Sequence, residues 1–189
     1  MRTLPLVLAG LAAALGASGC AGTAPAATPP PPREVEQSAT FAAGPGPAIT
    51  YDERLVPAGA HAVVTARSGE GSTTVRLAVS GLVPDRRYGA HVHANACGAR
   101  PEEAGPHFQY TVDPVQPSVD PRFANPQNEV WLDLTTDGSG AGSAVSAVAW
   151  EFPADRRAGS VVVHAMPTSS EPGTAGTAGA RAACVTVGF

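Results

Sequence analysis

The sequence contains no lysine. All twelve of its basic residues are arginines, set against sixteen acidic residues, and the formal net charge is −4. The arginines are scattered, and the longest runs are the pairs Arg86-Arg87 and Arg156-Arg157. Without a basic patch or stripe, nucleic acid is excluded as a partner and so is a purely electrostatic hold on an anionic surface. Helical periodicity is missing too. Beyond the first twenty residues no window of eleven or more places its apolar residues at helical spacing, which argues against an α-helical domain. Histidine and cysteine are scarce, five and three residues. Any thiol chemistry, or any metal held by imidazole or thiolate, must therefore come from a short list of positions.

The chain has 189 residues, and composition divides it in three. Residues 1–20 read as an export signal: Arg2 gives a positive start, an apolar run covers 4–15, and small residues follow. The run is too short for a membrane span. Ala17-Ser18-Gly19-Cys20 resembles a bacterial lipoprotein lipobox, with Ala17 where that motif prefers leucine. The resemblance implies cleavage before Cys20 and a lipid on its thiol, hence an anchor on the outer face of a bacterial cytoplasmic membrane. An ordinary cleavage nearby is the alternative. Residues 21–47 are rich in Ala, Thr, Pro and Gly, with four consecutive prolines at Pro29-Pro30-Pro31-Pro32. They read as a solvated, disordered linker. Residues 48–189, about 140 in number, make one ordinary domain.

That domain reads as all-β. Residues 62–65 and 74–79 are β-rich runs joined by the hairpin signal Ser68-Gly69-Glu70-Gly71-Ser72. Further strands are expected at 89–93, 130–134, 143–149, 160–164 and 182–187. Val75, Leu77 and Val79 share one face. Short strands at even spacing indicate a sandwich or barrel. Two long segments, 94–129 and 165–180, interrupt them, and loops of that length in a compact domain tend to be functional or mobile. In an exported chain Cys97 and Cys184 read as a disulfide, closing a loop of 87 residues (184 − 97).

Four of the five histidines carry the chemistry. His91 and His93 lie two apart in a strand-like run, so both imidazoles reach the same side. Two adjacent imidazoles repel when protonated, and a metal removes that conflict by requiring both to be neutral. His107 follows Gly105-Pro106 in a loop, and His164 ends Val161-Val162-Val163. His61 has no such neighbour and reads as an ordinary hydrogen-bonded residue.

These residues carry a resemblance. Gly89-Ala90-His91-Val92-His93, Ala104-Gly105-Pro106-His107-Phe108, Val161-Val162-Val163-His164 and Gly179-Ala180-Arg181-Ala182-Ala183-Cys184 resemble, in order, four motifs of Cu/Zn superoxide dismutases. The resemblance implies an eight-stranded Greek-key barrel. It makes His91, His93, His107 and His164 copper ligands, Cys97 and Cys184 the intrasubunit disulfide, and Arg181 the cation that guides superoxide. The residue chemistry agrees, because an all-imidazole site suits copper and a fixed cation attracts an anionic substrate. A surface salt bridge is the alternative for Arg181 taken alone.

The sequence departs from the family in two places. Residues 109–127 contain no histidine, where the family places further zinc ligands, so the zinc site is expected to be absent. Residues 165–180 hold one acid, Glu171, and no base, unlike the family's electrostatic loop. This pattern resembles a copper-only branch. Without zinc the second ring nitrogen of His107 needs an acceptor, and Glu129 is the candidate, with Asp113 and Asp120 as rivals and a solvent-facing Glu129 as the alternative. The functions to compare are superoxide dismutation and a non-catalytic, copper-buffering lipoprotein. Oligomeric state is left open by the sequence.

Overall fold

The computed structural model describes residues 30–189. The expected export signal, Cys20 and the first part of the expected linker lie outside the described residues. Within them the period-two alternation decides the architecture. The strands are β1 (Arg33–Thr40), β2 (Ala48–Thr50), β3 (His61–Gly69), β4 (Ser72–Ser80), β5 (Arg87–His93), β6 (Leu134–Thr135), β7 (Gly142–Val148), β8 (Ser160–His164) and β9 (Arg181–Thr186). A single 3-10 turn, Pro101–Ala104, lies between β5 and β6. The strands form two antiparallel sheets, ordered β1-β3-β4-β7 and β2-β9-β8-β5-β6. The all-β, Greek-key expectation holds, with nine strands among the described residues where eight were expected.

Each sheet turns one face inward. Val64 of β3 and Val75 and Leu77 of β4 are fully buried against Ala90, Val92, Val161 and Val163 of the other sheet. The β3–β4 hairpin closes through Glu70 and Gly71, with φ of 57° and 79°. Positive φ at both central positions matches the right-handed twist of the strands it joins.

The linker expectation is corrected from Arg33 onward. Residues 33–40 form β1, which pairs with β3 from Arg33↔Ser68 to Thr40↔His61. Val35, Ala39 and Phe41 alternate toward the core, a pattern diluted by the small and proline-rich residues around it. As the edge strand of its sheet, β1 is held by its backbone ladder to β3 as well as by these few apolar side chains. His61 bonds across this pairing to the hydroxyls of Ser38 and Thr40, in keeping with its ordinary role.

The expected strand at 130–134 is only partly regular. Leu134–Thr135 pairs with β5, whereas Trp131 meets His91 through a single bridge. Val130, Leu132 and Leu134 still point into the core. Glu129, Trp131 and Asp133 therefore face the other way.

The same logic on β5 positions the site. Tyr88, Ala90 and Val92 fill the core, which leaves Gly89, His91 and His93 on the outer face of the five-stranded sheet. The two long segments roof that face. Gly89 allows the close approach: its N–H donates to the Met166 carbonyl at 2.8 Å, and a Cβ there would lie 2.7 Å from that oxygen and from Ala178 Cβ. Cys97 and Cys184 are joined, which ties the first roofing segment to β9. Closing an 87-residue loop stabilises the fold by about 4–5 kcal/mol as an upper figure.

Candidate metal centre

His91, His93, His107 and His164 converge. One ring nitrogen from each lies within 4.8 Å of the others, and they form the one group of three or more histidine, cysteine or acidic residues so arranged among the described residues. His91 and His93 come from β5 and His164 from the end of β8. His107 comes from the first roofing segment, where it bridges to His93. The strand register brings His91 opposite Val162 and Gly89 opposite His164.

The outer nitrogens are held. His93 Nδ1 donates to the Gly105 carbonyl at 3.0 Å, and His164 Nδ1 to the Gly179 carbonyl at 3.3 Å. His107 Nδ1 donates to Glu129 Oε2 at 2.8 Å. His91 Nε2 lies 2.7 Å from Thr168 Oγ1. The inner nitrogens are not satisfied. His91 Nδ1 is buried with no hydrogen-bond partner. His93 Nε2 and His164 Nε2 stand 3.4 Å apart, yet each ring has already given its Nδ1 proton to a carbonyl. In neutral rings the two Nε2 atoms then present lone pairs to one another, so the contact is a repulsion rather than a hydrogen bond.

Burial disfavours the charged form of three of the rings, His91, His93 and His164. It pushes His91 and His93 well below the ordinary imidazole value, and the neighbouring histidines add to the effect. It pushes His164 down to about 3. A buried nest of proton-free nitrogens is costly without a guest and is what a soft or borderline cation requires. The donor set therefore fits a metal ion, and four imidazoles suit copper best among the common divalent ions.

Glu129 is almost wholly buried, at 1% exposure. Three donors offset the burial of its carboxylate: His107 Nδ1 and Trp131 Nε1 on Oε2, the latter at 2.7 Å, and Gln109 Nε2 on Oε1 at 2.8 Å. Such charge-assisted bonds are the strong ones. The rivals are engaged elsewhere. Asp113 accepts from the Val115 N–H and the Ser118 hydroxyl. Asp120 pairs with Arg122.

Arg181 opens β9 and sits opposite His164. Its guanidinium is tied by two carbonyls, Nη1 to Pro101 at 2.7 Å and Nη2 to Gly105 at 2.6 Å. Partial burial holds its pKa below the ordinary guanidinium value. No carboxylate lies within ion-pair distance of it among the described residues. A cleft of about 350 Å³ opens onto His107, His164, Glu129 and Arg181, with Pro117 and Val119 on one wall.

Sequence reasoning missed Gln109, Trp131, Asp133 and Thr168. For two of them a signal was present. Glu129, Trp131 and Asp133 follow the period of two, so finding one on the site face places the others there. For Gln109 and Thr168, both in irregular segments, there was none.

The family pattern described as copper/zinc superoxide dismutase (SODC) matches residues 59–187. No curated protein sequence matches the chain. Among solved structures, the Cu/Zn superoxide dismutase from Brucella abortus is similar, with a TM-score of 0.51 at 20% identity, over 80% of this chain and 98% of that one. At that identity the likeness speaks for the fold.

Proposed function

This chain belongs to the copper/zinc superoxide dismutase family, and from that premise we propose that it disproportionates superoxide at a centre holding copper and no zinc. The family makes it an oxidoreductase with superoxide as substrate. The copper-only reading rests on one observation above all: the Glu129 carboxylate occupies the Nδ1 side of His107, where the two-metal relatives place zinc.

Copper, when bound, supplies a one-electron couple, so that two superoxide anions and two protons give dioxygen and hydrogen peroxide. The chain's own residues do the rest. His91, His93, His107 and His164 would hold the ion through their proton-free nitrogens. Glu129 keeps the His107 proton on Nδ1 and so keeps Nε2 available. Arg181, without an acidic partner, offers the approaching anion a fixed positive charge beside His164. A store for copper has no use for such a cation, which favours turnover over buffering.

The cellular setting is part of the proposal. An export signal with a Cys20 anchor would put the domain in the oxidising cell envelope. The Cys97–Cys184 disulfide suits that compartment. Elemental analysis of protein loaded with copper and zinc together, combined with a superoxide-decay assay, tests the central claim. One copper and no tightly held zinc is expected, with decay that depends on the copper. A full equivalent of zinc beside full copper occupancy would defeat the copper-only reading.

A further inference from the structure

Of the four ligand histidines, three have outer partners that can only accept: two carbonyls and one carboxylate. That alone fixes which nitrogen keeps the proton. His91 differs. Its outer nitrogen meets the hydroxyl of Thr168 at 2.7 Å, and a hydroxyl can donate or accept. By itself Thr168 would leave the ring free to carry its proton on either side. The inner nitrogen, Nδ1, is the one buried without a partner, so the choice decides whether His91 is a ligand at all.

Asp133 removes the ambiguity. Its Oδ2 accepts the Thr168 N–H at 2.8 Å, and its Oδ1 accepts the Thr168 hydroxyl proton in a short hydrogen bond. The Thr168 hydroxyl has a single proton, and the carboxylate takes it. Thr168 Oγ1 can then only accept from His91, which requires the proton on Nε2 and leaves Nδ1 bare. Asp133 cannot do this alone, because its Oδ1 stands 3.9 Å from His91 Nε2, beyond hydrogen-bond reach.

We propose that Thr168 and Asp133 form a positioning pair that locks His91 in the Nε2–H tautomer and so makes Nδ1 a metal ligand. The proposal rests on the four-histidine copper site argued above. The pair does for His91 what Glu129 does for His107, by a relay instead of a direct contact. It also joins three separate parts of the chain. His91 lies on β5, Asp133 just before β6, and Thr168 in the segment after β8. That last segment presents the Gly179 carbonyl to His164 as well, so one roof segment orients two of the four ligands. Docking this segment onto β5 and forming the site are thereby one event.

The metal-free full chain tests the lock directly. Long-range proton–nitrogen NMR should find the His91 proton on Nε2. In Asp133→Ala the freed hydroxyl can donate again, and a second population with the proton on Nδ1 is expected. Thr168→Val should weaken copper binding by about 10–100-fold, the usual effect of losing such a partner, and should alter the copper(II) electron paramagnetic resonance spectrum. Thr168→Ser, which keeps the hydroxyl, should restore both affinity and spectrum. Should the valine variant fail to fold, the wild-type tautomer and the Asp133→Ala shift still decide. A wild-type His91 proton on Nδ1 overturns the proposal, as does copper binding and a spectrum unchanged in a folded Thr168→Val. Wild-type protein that shows the Nε2 proton but takes up no copper supports the lock and overturns the copper reading instead.

Discussion

Arg181 and His93 share one acceptor: the carbonyl oxygen of Gly105 takes Arg181 Nη2 at 2.6 Å and His93 Nδ1 at 3.0 Å. The cation and one of the four clustered histidines are thus held by a single backbone atom. The segment that carries Gly105 is tied down through Cys97 to Cys184 on β9, the strand that begins with Arg181. A displacement of the Gly105 carbonyl would therefore disturb both side chains.

Arg181→Ala should slow superoxide removal more than it weakens copper binding. A fixed cation acts on the encounter with the anion, so the wild-type rate should fall as salt rises and the variant's rate should depend less on salt. Stopped-flow decay at several ionic strengths checks this. A wild-type rate indifferent to salt and matched by the variant would point to the copper-holding module.

Glu129→Gln should lower copper affinity or activity by about 10–100-fold. Glutamine keeps the shape but carries an amide N–H₂ where three donors now converge, so at least one of them loses its acceptor. Copper titration of the folded variant is the measurement, and wild-type affinity would remove Glu129 from the site.

The metal-free protein should lose stability in mild acid. The folded pKa of His164 is depressed from 6.5 to about 3, and those of His91 and His93 are depressed as well. The unfolded chain therefore binds more protons between these values. Stability is complete above about pH 6.5, declines as pH falls toward 3, and levels off below the folded values. Thermal unfolding at pH 7.5 and pH 4.5 measures the drop. His164→Asn should reduce it, and an equal drop in the variant would count against burial of neutral His164 as a cause.

Cys20→Ala should move the full chain from the membrane fraction to the soluble one. Fractionation of cells expressing each form is the check, and unchanged retention of the variant would remove the anchor from the proposal.

The sequence by itself determined the sheet faces and singled out the four histidines that the fold brings together. Period-two alternation forces His91 and His93 to one side of β5, and it puts Val75, Leu77 and Val79 on a common face, wherever the rest of the chain lies. The disulfide pair was legible for a simpler reason, since two cysteines remain once Cys20 is set aside. The alternation of β1 was equally present in Val35, Ala39 and Phe41, but averaging composition over 21–47 hid it. What only the tertiary structure decided is which outer partner each of the four histidines meets. His107 and Glu129 are 22 residues apart, and His91 and Thr168 are 77 apart. Thr168 stands in an irregular segment with no period to predict its direction. A hydrogen bond across such distances depends on how two loops dock over a sheet face, and that docking is set by the whole fold.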